Sequence, residues 1–192
     1  MSSSHFQLSL PDWVQPYVAS LPEQIQDVSA RMQVAIALAR YNVDNGTGGP
    51  FGAAIFEQNS GRLAAAGMNL VVGKHCSLAH AEMVAIMMAQ SALKTHDLGR
   101  AAGAPYQLVS STEPCAMCLG AIPWSGVQSL VCGANDADAR AVGFDEGEKP
   151  SDWQGGYQRR GIAVECGVCG EDAARVLRDY AASGGEIYNS GA

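Results

Sequence analysis

Positive charge is scarce in this chain. Its 192 residues carry 12 Lys and Arg against 19 Asp and Glu, a formal net charge of −7. Phosphate binding depends on clustered Lys and Arg, so this balance argues against a nucleic-acid groove. The basic groups Arg159-Arg160 and Arg175 with Arg178 read as ordinary solvated surface. Long apolar runs are missing too. The amino terminus has no basic leader region and no uninterrupted apolar stretch, so neither a signal peptide nor a membrane span is expected. There is no internal repeat and no low-complexity linker. Six cysteines in a chain of this size do not make a disulfide scaffold. What remains is a length that suits one compact domain with a core of proper size.

The informative part is short. His80-Ala81-Glu82 is followed downstream by Pro114-Cys115-Ala116-Met117-Cys118. These residues offer three soft or borderline metal ligands and one carboxylate that is not needed as a ligand. A structural zinc site closes its tetrahedron with four protein ligands, whereas a catalytic one keeps a position open for water. One His, two Cys and a spare Glu are of the second kind. His80, Cys115 and Cys118 would hold one Zn²⁺ per chain, acidifying water towards neutrality. Glu82 would carry the proton from that water to a leaving group. The arrangement H-x-E…P-C-x-x-C is that of zinc deaminases of nucleobases. Metal-bound thiolates also suit a reducing cytoplasm, where the chain is expected to reside.

The spacing works geometrically. If Cys115 opens a helix, Cys118 lies one turn along on the same face. The positive end of the helix dipole favours thiolate there, and Pro114 fits just before the first turn. His80 and Glu82, two apart, converge only if a helix starts there, as the apolar Met83, Val84, Ile86 and Met87 suggest. Two core cysteines and a satisfied histidine are the bland alternative, and they leave the full signature unexplained. A second pair, Cys166-Gly167-Val168-Cys169, could be redox-active or could close a Cys₄ site with Cys115 and Cys118. Neither possibility accounts for His80-x-Glu82. Cys166 continues the apolar run from Ile162 and Cys169 precedes a helical pattern, so both are expected to be buried thiols. Cys76 and Cys132 read as core or near-site residues.

Along the chain, residues 1–21 contain Pro11, Trp13, Pro16 and Tyr17 and read as an irregular arm that packs by its aromatics. From about 22 to 43, Val28, Met32, Ala35, Ile36 and Ala39 recur at helical spacing. The run Asn45-Gly46-Thr47-Gly48-Gly49-Pro50 ends that helix. Segments 51–57 and 63–70 form a hairpin, and a helix covers about 80–94. A strand at 106–111, the second zinc helix and a strand at 127–133 follow. Residues 135–160, rich in Gly, Asp and Arg, read as a functional loop with a short helix. The last strand is 162–166, the last helix 170–183 and the tail 184–189. A hairpin followed by alternating helices and strands predicts an α/β chain whose mixed sheet is covered on both faces.

The chain resembles the cytidine deaminase-like superfamily and, within it, the guanine deaminases of the nucleobase-deaminase branch. The resemblance rests on Pro50-Phe51-Gly52-Ala53, Gly67-Met68-Asn69, His80-Ala81-Glu82, Thr112 through Cys118, Gly143-Phe144-Asp145-Glu146 and Ile187-Tyr188-Asn189. It implies a three-layer α/β/α fold with a central five-stranded mixed sheet, and a single deaminase domain over residues 1–192. It further implies a homodimer in which the C-terminal helix and tail, 170–192, can be lent to the partner's active site. The implied reaction is zinc-dependent hydrolysis of guanine, a small purine base, to xanthine and ammonia, a step of purine catabolism. No membrane or nucleic-acid partner is expected. By motif, His80, Cys115 and Cys118 match the zinc ligands and Glu82 the general acid/base. Glu146 matches a second carboxylate that assists proton transfer to the departing amine. Asn69 matches a residue bonding the purine edge, with Phe51, Phe144 and Ala81 as walls.

The chain departs from the family pattern at Cys169, where an aliphatic residue is usual, in a longer and more aromatic 147–160 stretch, and in its extended arm. These departures bear on the lid, and so on which amino-heterocycle is preferred. Cytosine, guanosine and triazine remain alternative substrates. A tRNA adenosine deaminase shares the zinc signature but should carry a basic face. A non-catalytic zinc-stabilised binding module would have no use for Glu82.

Overall fold

The protein is described by a computed structural model over residues 7–189. Alternation along the central strands sets its layers. In β1 (Gly52–Glu57), Ala53 and Ile55 join one apolar cluster while Ala54 and Phe56 join another. The same division separates Leu108 from Val109 in β3 (Tyr106–Thr112) and Leu130 from Val131 in β4 (Ser129–Ala134). Successive side chains point to opposite faces of a strand, so a sheet buried on both sides needs a helical layer over each. Helices α2 (Val28–Asp44) and α8 (Gly170–Ala182) supply one layer, through residues such as Met32, Leu38, Val176 and Leu177. After the short α3 (Val71–Lys74), helices α4 (Ala81–Leu93) and α5 (Ala116–Ser125) supply the other, through Ala85, Ala89, Leu119 and Ile122.

With β2 (Leu63–Met68) and β5 (Ala163–Glu165) at the edges, the strand order is β2-β1-β3-β4-β5. β1 runs antiparallel to β2 and β3, whereas β3, β4 and β5 are parallel. Parallel neighbours require crossover connections. Helix α5 makes the first, and the second carries two short helices, α6 (Asp136–Ala141) and α7 (Trp153–Gln158). The expected three-layer α/β/α architecture with a five-stranded mixed sheet is therefore present. No helix of the described residues is long and apolar enough to cross a membrane.

Three local expectations need correction. The arm is not irregular throughout: residues Val14–Ser20 form helix α1. Pro16 sits in its first turn, where a missing N–H forfeits no intrahelical bond. Trp13 and Tyr17 both pack on Tyr41 of α2, with ring centroids 5.9 and 5.1 Å away. Residues 1–6 of the arm lie outside the described residues. Helix α2 begins at Val28 rather than near residue 22, because Asp27 caps it by accepting from the Ala30 N–H at 2.8 Å. The preceding residues are drawn to the hairpin instead, where the Ile25 N–H bonds the Gly61 carbonyl. Finally, Cys166 is exposed and Cys169 half-buried, since β5 is a short edge strand with little cover.

One glycine places the catalytic layer. A Cβ on Gly67 would come within 2.3 Å of the Ala81 carbonyl oxygen and 2.4 Å of the Ala85 nitrogen. The first turn of α4 thus lies directly on β2, at a separation only glycine allows. Gly67→Ala is expected to destabilise the fold by about 2 kcal/mol or more, as overpacking against backbone does. Urea unfolding monitored by circular dichroism measures this, and an unchanged midpoint would refute the close-approach argument.

Candidate active site

Two helix N-termini meet at the site. His80 is the N-cap of α4, with extended backbone at φ −67° and ψ 156°, and Glu82 follows in the first turn. Cys115 is the N-cap of α5, likewise extended at φ −66° and ψ 170°, and Cys118 lies one turn along. The extended caps turn His80 and Cys115 towards each other, while unpaired N–H groups and helix dipoles favour negative sulfur. His80 Nδ1 lies 3.5 Å from Cys115 Sγ and 3.7 Å from Cys118 Sγ. All three donor atoms lie within 4.8 Å of one another. Zinc bonds of about 2.3 Å to sulfur and 2.0 Å to nitrogen, at tetrahedral angles, require N···S separations of about 3.5 Å. The donor set therefore fits zinc, with three protein ligands and a fourth position left over. Helix α5 also contains Pro123, which removes the bond that the Leu119 carbonyl would accept. Tyr157 Oη donates to that carbonyl at 2.9 Å instead, fixing α7 beneath the site.

Above the metal triad, one pocket is lined by Phe51, Asn69, His80, Ala81, Glu82 and Cys115, and on its far wall by Phe144 and Glu146. Every residue selected from the sequence is thus brought together, with Cys118 fully buried just beneath. Phe51 and Phe144 meet edge to face at 4.8 Å. Asn69 is buried, and its backbone carbonyl accepts from Asn42 Nδ2 of α2 at 2.8 Å. Its own Nδ2 donates to Tyr188 Oη.

Three features go beyond the sequence reading, which named Thr112 and Tyr188 only within motifs and gave the tail only to a partner's site. The tail folds back on its own chain so that Tyr188 plugs the pocket beside Asn69, Phe144 and His80. Asn189 bonds the Gly143 carbonyl and the Asp145 N–H, each at 2.9 Å. The free space left beside the ring is small, about 30 Å³. Thr112 also lines this pocket, and its buried Oγ1 has no hydrogen-bond partner among the described residues. Lys149 stands behind Glu146, 3.7 Å from its Oε2. The tail carries no periodicity that could have foretold its return. The spacing of Glu146 and Lys149 could have suggested that they pair.

The electrostatics follow from burial. The Cys115 thiol is brought down to about 4, chiefly by its hydrogen bond with Cys118, with burial opposing and His80 assisting. Cys118 moves the opposite way, because it shares its proton with Cys115 and is desolvated. Burial would lower the His80 imidazole, but Cys115 and Glu82 raise it above its ordinary value. A divalent cation would displace these protons. Burial raises the Glu82 carboxyl, helped by Cys115 and opposed by His80. Burial likewise pushes Glu146 up to about 7, against the pull of Lys149 and with Cys115 and Glu82 adding to the rise. Two desolvated carboxyl groups with distinct surroundings therefore face one small pocket.

This geometry has counterparts. The family model described as the cytidine and deoxycytidylate deaminase zinc-binding region matches residues 25–134. The guanine deaminase of Bacillus subtilis (strain 168) is 39% identical over 112 residues, covering 58% of this chain and 67% of its own. The solved guanine deaminase from Nitrosomonas europaea superposes with a TM-score of 0.88 at 43% identity, over 95% of this chain and 99% of that one. A further solved chain, in complex with 2,6-diaminopurine, gives a TM-score of 0.89 at 45% identity, over 97% of each.

Cys118→Ser should lose bound zinc, because a serine hydroxyl replaces a buried thiolate in a three-ligand set. Elemental analysis after dialysis is expected to fall from about one zinc per chain to well below half. One zinc per chain in the variant would refute the ligand assignment.

Proposed function

The chain belongs to the zinc-binding cytidine and deoxycytidylate deaminase family, and on that premise we propose that it hydrolyses guanine to xanthine and ammonia. One observation carries the reading: a zinc-fitting triad, two desolvated carboxyl groups and a fixed side-chain amide share a single pocket. The choice of guanine is supported by likeness to a solved guanine deaminase over nearly the whole chain.

Zinc, when bound by His80, Cys115 and Cys118, supplies a Lewis acid that acidifies water towards neutrality. Glu82 is the general base and then the general acid: it takes the proton of the attacking water and returns it to a ring nitrogen. Its position in the first turn of α4, two residues after His80, puts the carboxyl in the same pocket as His80 and Cys115, where it would be free to act as a base rather than as a ligand. Glu146 assists protonation of the amine attached to C2 before it leaves as ammonia. Two carboxyl groups in unlike surroundings can divide acid and base work. The Asn69 amide offers both donor and acceptor to the heterocycle edge; Asn42 holds its backbone carbonyl, and its Oδ1 accepts from the Val71 N–H at 3.3 Å. Phe51, Phe144 and Ala81 form the walls. Because little space remains beside Tyr188, a bound base must take over the hydrogen bond that Asn69 gives to Tyr188.

The same reading takes residues 1–192 as a single deaminase domain acting in purine catabolism in the cytoplasm, and as a homodimer. In such a dimer the segment 170–192 can be exchanged between partners. The acidic balance of the chain supports a neutral base over tRNA as substrate.

The decisive assay is ammonia release by zinc-loaded protein given guanine, guanosine, adenine, cytosine or a triazine. Guanine is expected to be turned over. Activity on another compound alone would keep zinc deamination and overturn the substrate. Silence on all of them with zinc bound would instead favour a non-catalytic binding module. Glu82→Gln should keep its zinc and lose turnover by about a thousandfold, and Glu146→Gln should lower kcat on the order of a hundredfold. Wild-type rates in either variant would remove that residue from the mechanism. For Asn69→Ala, the loss of one hydrogen-bonding group to the buried base should cost about tenfold or more in kcat/KM.

A further inference from the structure

Lys149 belongs to the 135–160 connection, and its side chain is only 8% exposed. Its ammonium faces three carboxylates: Asp136 Oδ1 at 2.6 Å, Glu113 Oε1 at 3.3 Å and Glu146 Oε2 at 3.7 Å. It also donates to the Pro114 carbonyl at 2.9 Å. These groups come from three separate pieces of chain. Asp136 opens α6, Glu113 and Pro114 form the turn that runs into Cys115, and Glu146 stands on the loop over the pocket. A compact ammonium can serve such divergent partners, which a planar guanidinium cannot.

The surrounding contacts give the arrangement its stiffness. Arg140 pairs with Asp136 at 2.6 Å and donates to the Gly147 carbonyl, also at 2.6 Å. The Ala116 N–H, in the first turn of α5, bonds the Glu146 carbonyl at 2.9 Å. The backbone of Glu146 is thereby tied to the zinc helix. Its carboxylate has Lys149 as its cationic neighbour, at a distance too long for a hydrogen bond. Such an ion pair holds the carboxylate in place and leaves both oxygens free to exchange a proton.

We propose that Lys149 is a positioning residue for the deamination. It binds the Glu146 loop to the segment leading into Cys115 and keeps the Glu146 carboxylate turned into the pocket. This rests on the proton-transfer role given to Glu146 above. Without the ammonium, Glu113, Asp136 and Glu146 would confront one another as like charges in a site with little water. The Glu146 side chain would then swing away from the pocket. Because Lys149 acts through Glu146, its removal should matter only while Glu146 is a carboxylate.

The test is steady-state guanine turnover by zinc-loaded wild type, Lys149→Met, Glu146→Gln and the double variant, with zinc content and thermal unfolding measured alongside. Lys149→Met is expected to lower kcat about tenfold, to leave KM within about threefold and to keep its zinc. In the Glu146→Gln background the same change should alter kcat by less than about twofold. A full tenfold loss on top of Glu146→Gln would show a merely structural role and overturn the proposal. An unchanged kcat in Lys149→Met, with Glu146→Gln impaired, would overturn it while leaving Glu146 in the mechanism. An unimpaired Glu146→Gln would remove both. Should Lys149→Met fail to fold, Lys149→Arg keeps the charge but displaces it, and the same cycle is read on that variant.

Discussion

Three donor atoms from two different helices come within 4.8 Å of one another, and the rest of the molecule is arranged around that demand. His80 and Glu82, two residues apart, would diverge in mid-helix. They and the Cys115–Cys118 pair sit where a helix begins, with an extended cap residue followed by a helical one. This in turn fixes where the two helices must start. Helix α5 follows β3 directly, so its start is fixed by the end of that strand. Helix α4 reaches the same end of the sheet only because Gly67 lets its first turn lie on β2. The antiparallel hairpin then brings Phe51, before β1, beside Asn69, after β2. Open α/β sheets bind ligands beyond the carboxyl ends of their strands, and here β2, β3 and the loop after β4 all contribute there.

A second constraint follows from the first. A pocket that can shuttle protons needs carboxyl groups, and a pocket walled by Phe51, Phe144 and Tyr188 keeps water from solvating them. Glu82 and Glu146 are both more than nine-tenths buried, and burial is the largest cause of the upward shift in each. Buried carboxylates without compensation are costly. Lys149 supplies compensation to Glu146, and His80 supplies it to Glu82. The net negative charge of the chain has a local counterpart here, since Glu82, Glu113, Asp145 and Glu146 all line one pocket. Such a pocket suits a neutral heterocycle and repels a phosphate backbone.

The zinc triad and Glu82 were legible in the sequence because metal chemistry restricts both residue type and spacing. The sheet was legible because alternation along β1, β3 and β4 and the turn-rich segments between elements are local signals. What was not legible depends on contacts between distant parts of the chain. Nothing near residue 22 shows that Ile25 will bond Gly61 and so delay α2 to Val28. The two prolines of the arm suggested irregular chain, yet Pro16 falls in the one turn of α1 that tolerates it. The run from Ile162 to Cys166 looked like a buried strand, but it pairs only with β4 at the sheet edge, and Cys166 remains exposed. Nothing local marks out Lys149, because its partners Asp136 and Glu113 lie in other elements.

The tail shows how such long-range contacts bear on the chemistry. Tyr188 gives Asn69 a hydrogen-bond partner and places an aromatic ring against Phe144, which are the two kinds of contact a planar base offers. A buried amide left unpaired would cost about 1–3 kcal/mol, so the closed pocket is stable only with something in that position. On the role proposed for Asn69, an entering base replaces the phenol as hydrogen-bond partner and the ring as stacking surface. The exchange would then be nearly even in hydrogen bonds, with discrimination falling on whichever ligand best satisfies the Asn69 amide. A base that presents a donor and an acceptor side by side does so, whereas an apolar ring of the same shape leaves the amide unpaired. Selectivity in this pocket accordingly comes from the edge of the heterocycle more than from its bulk.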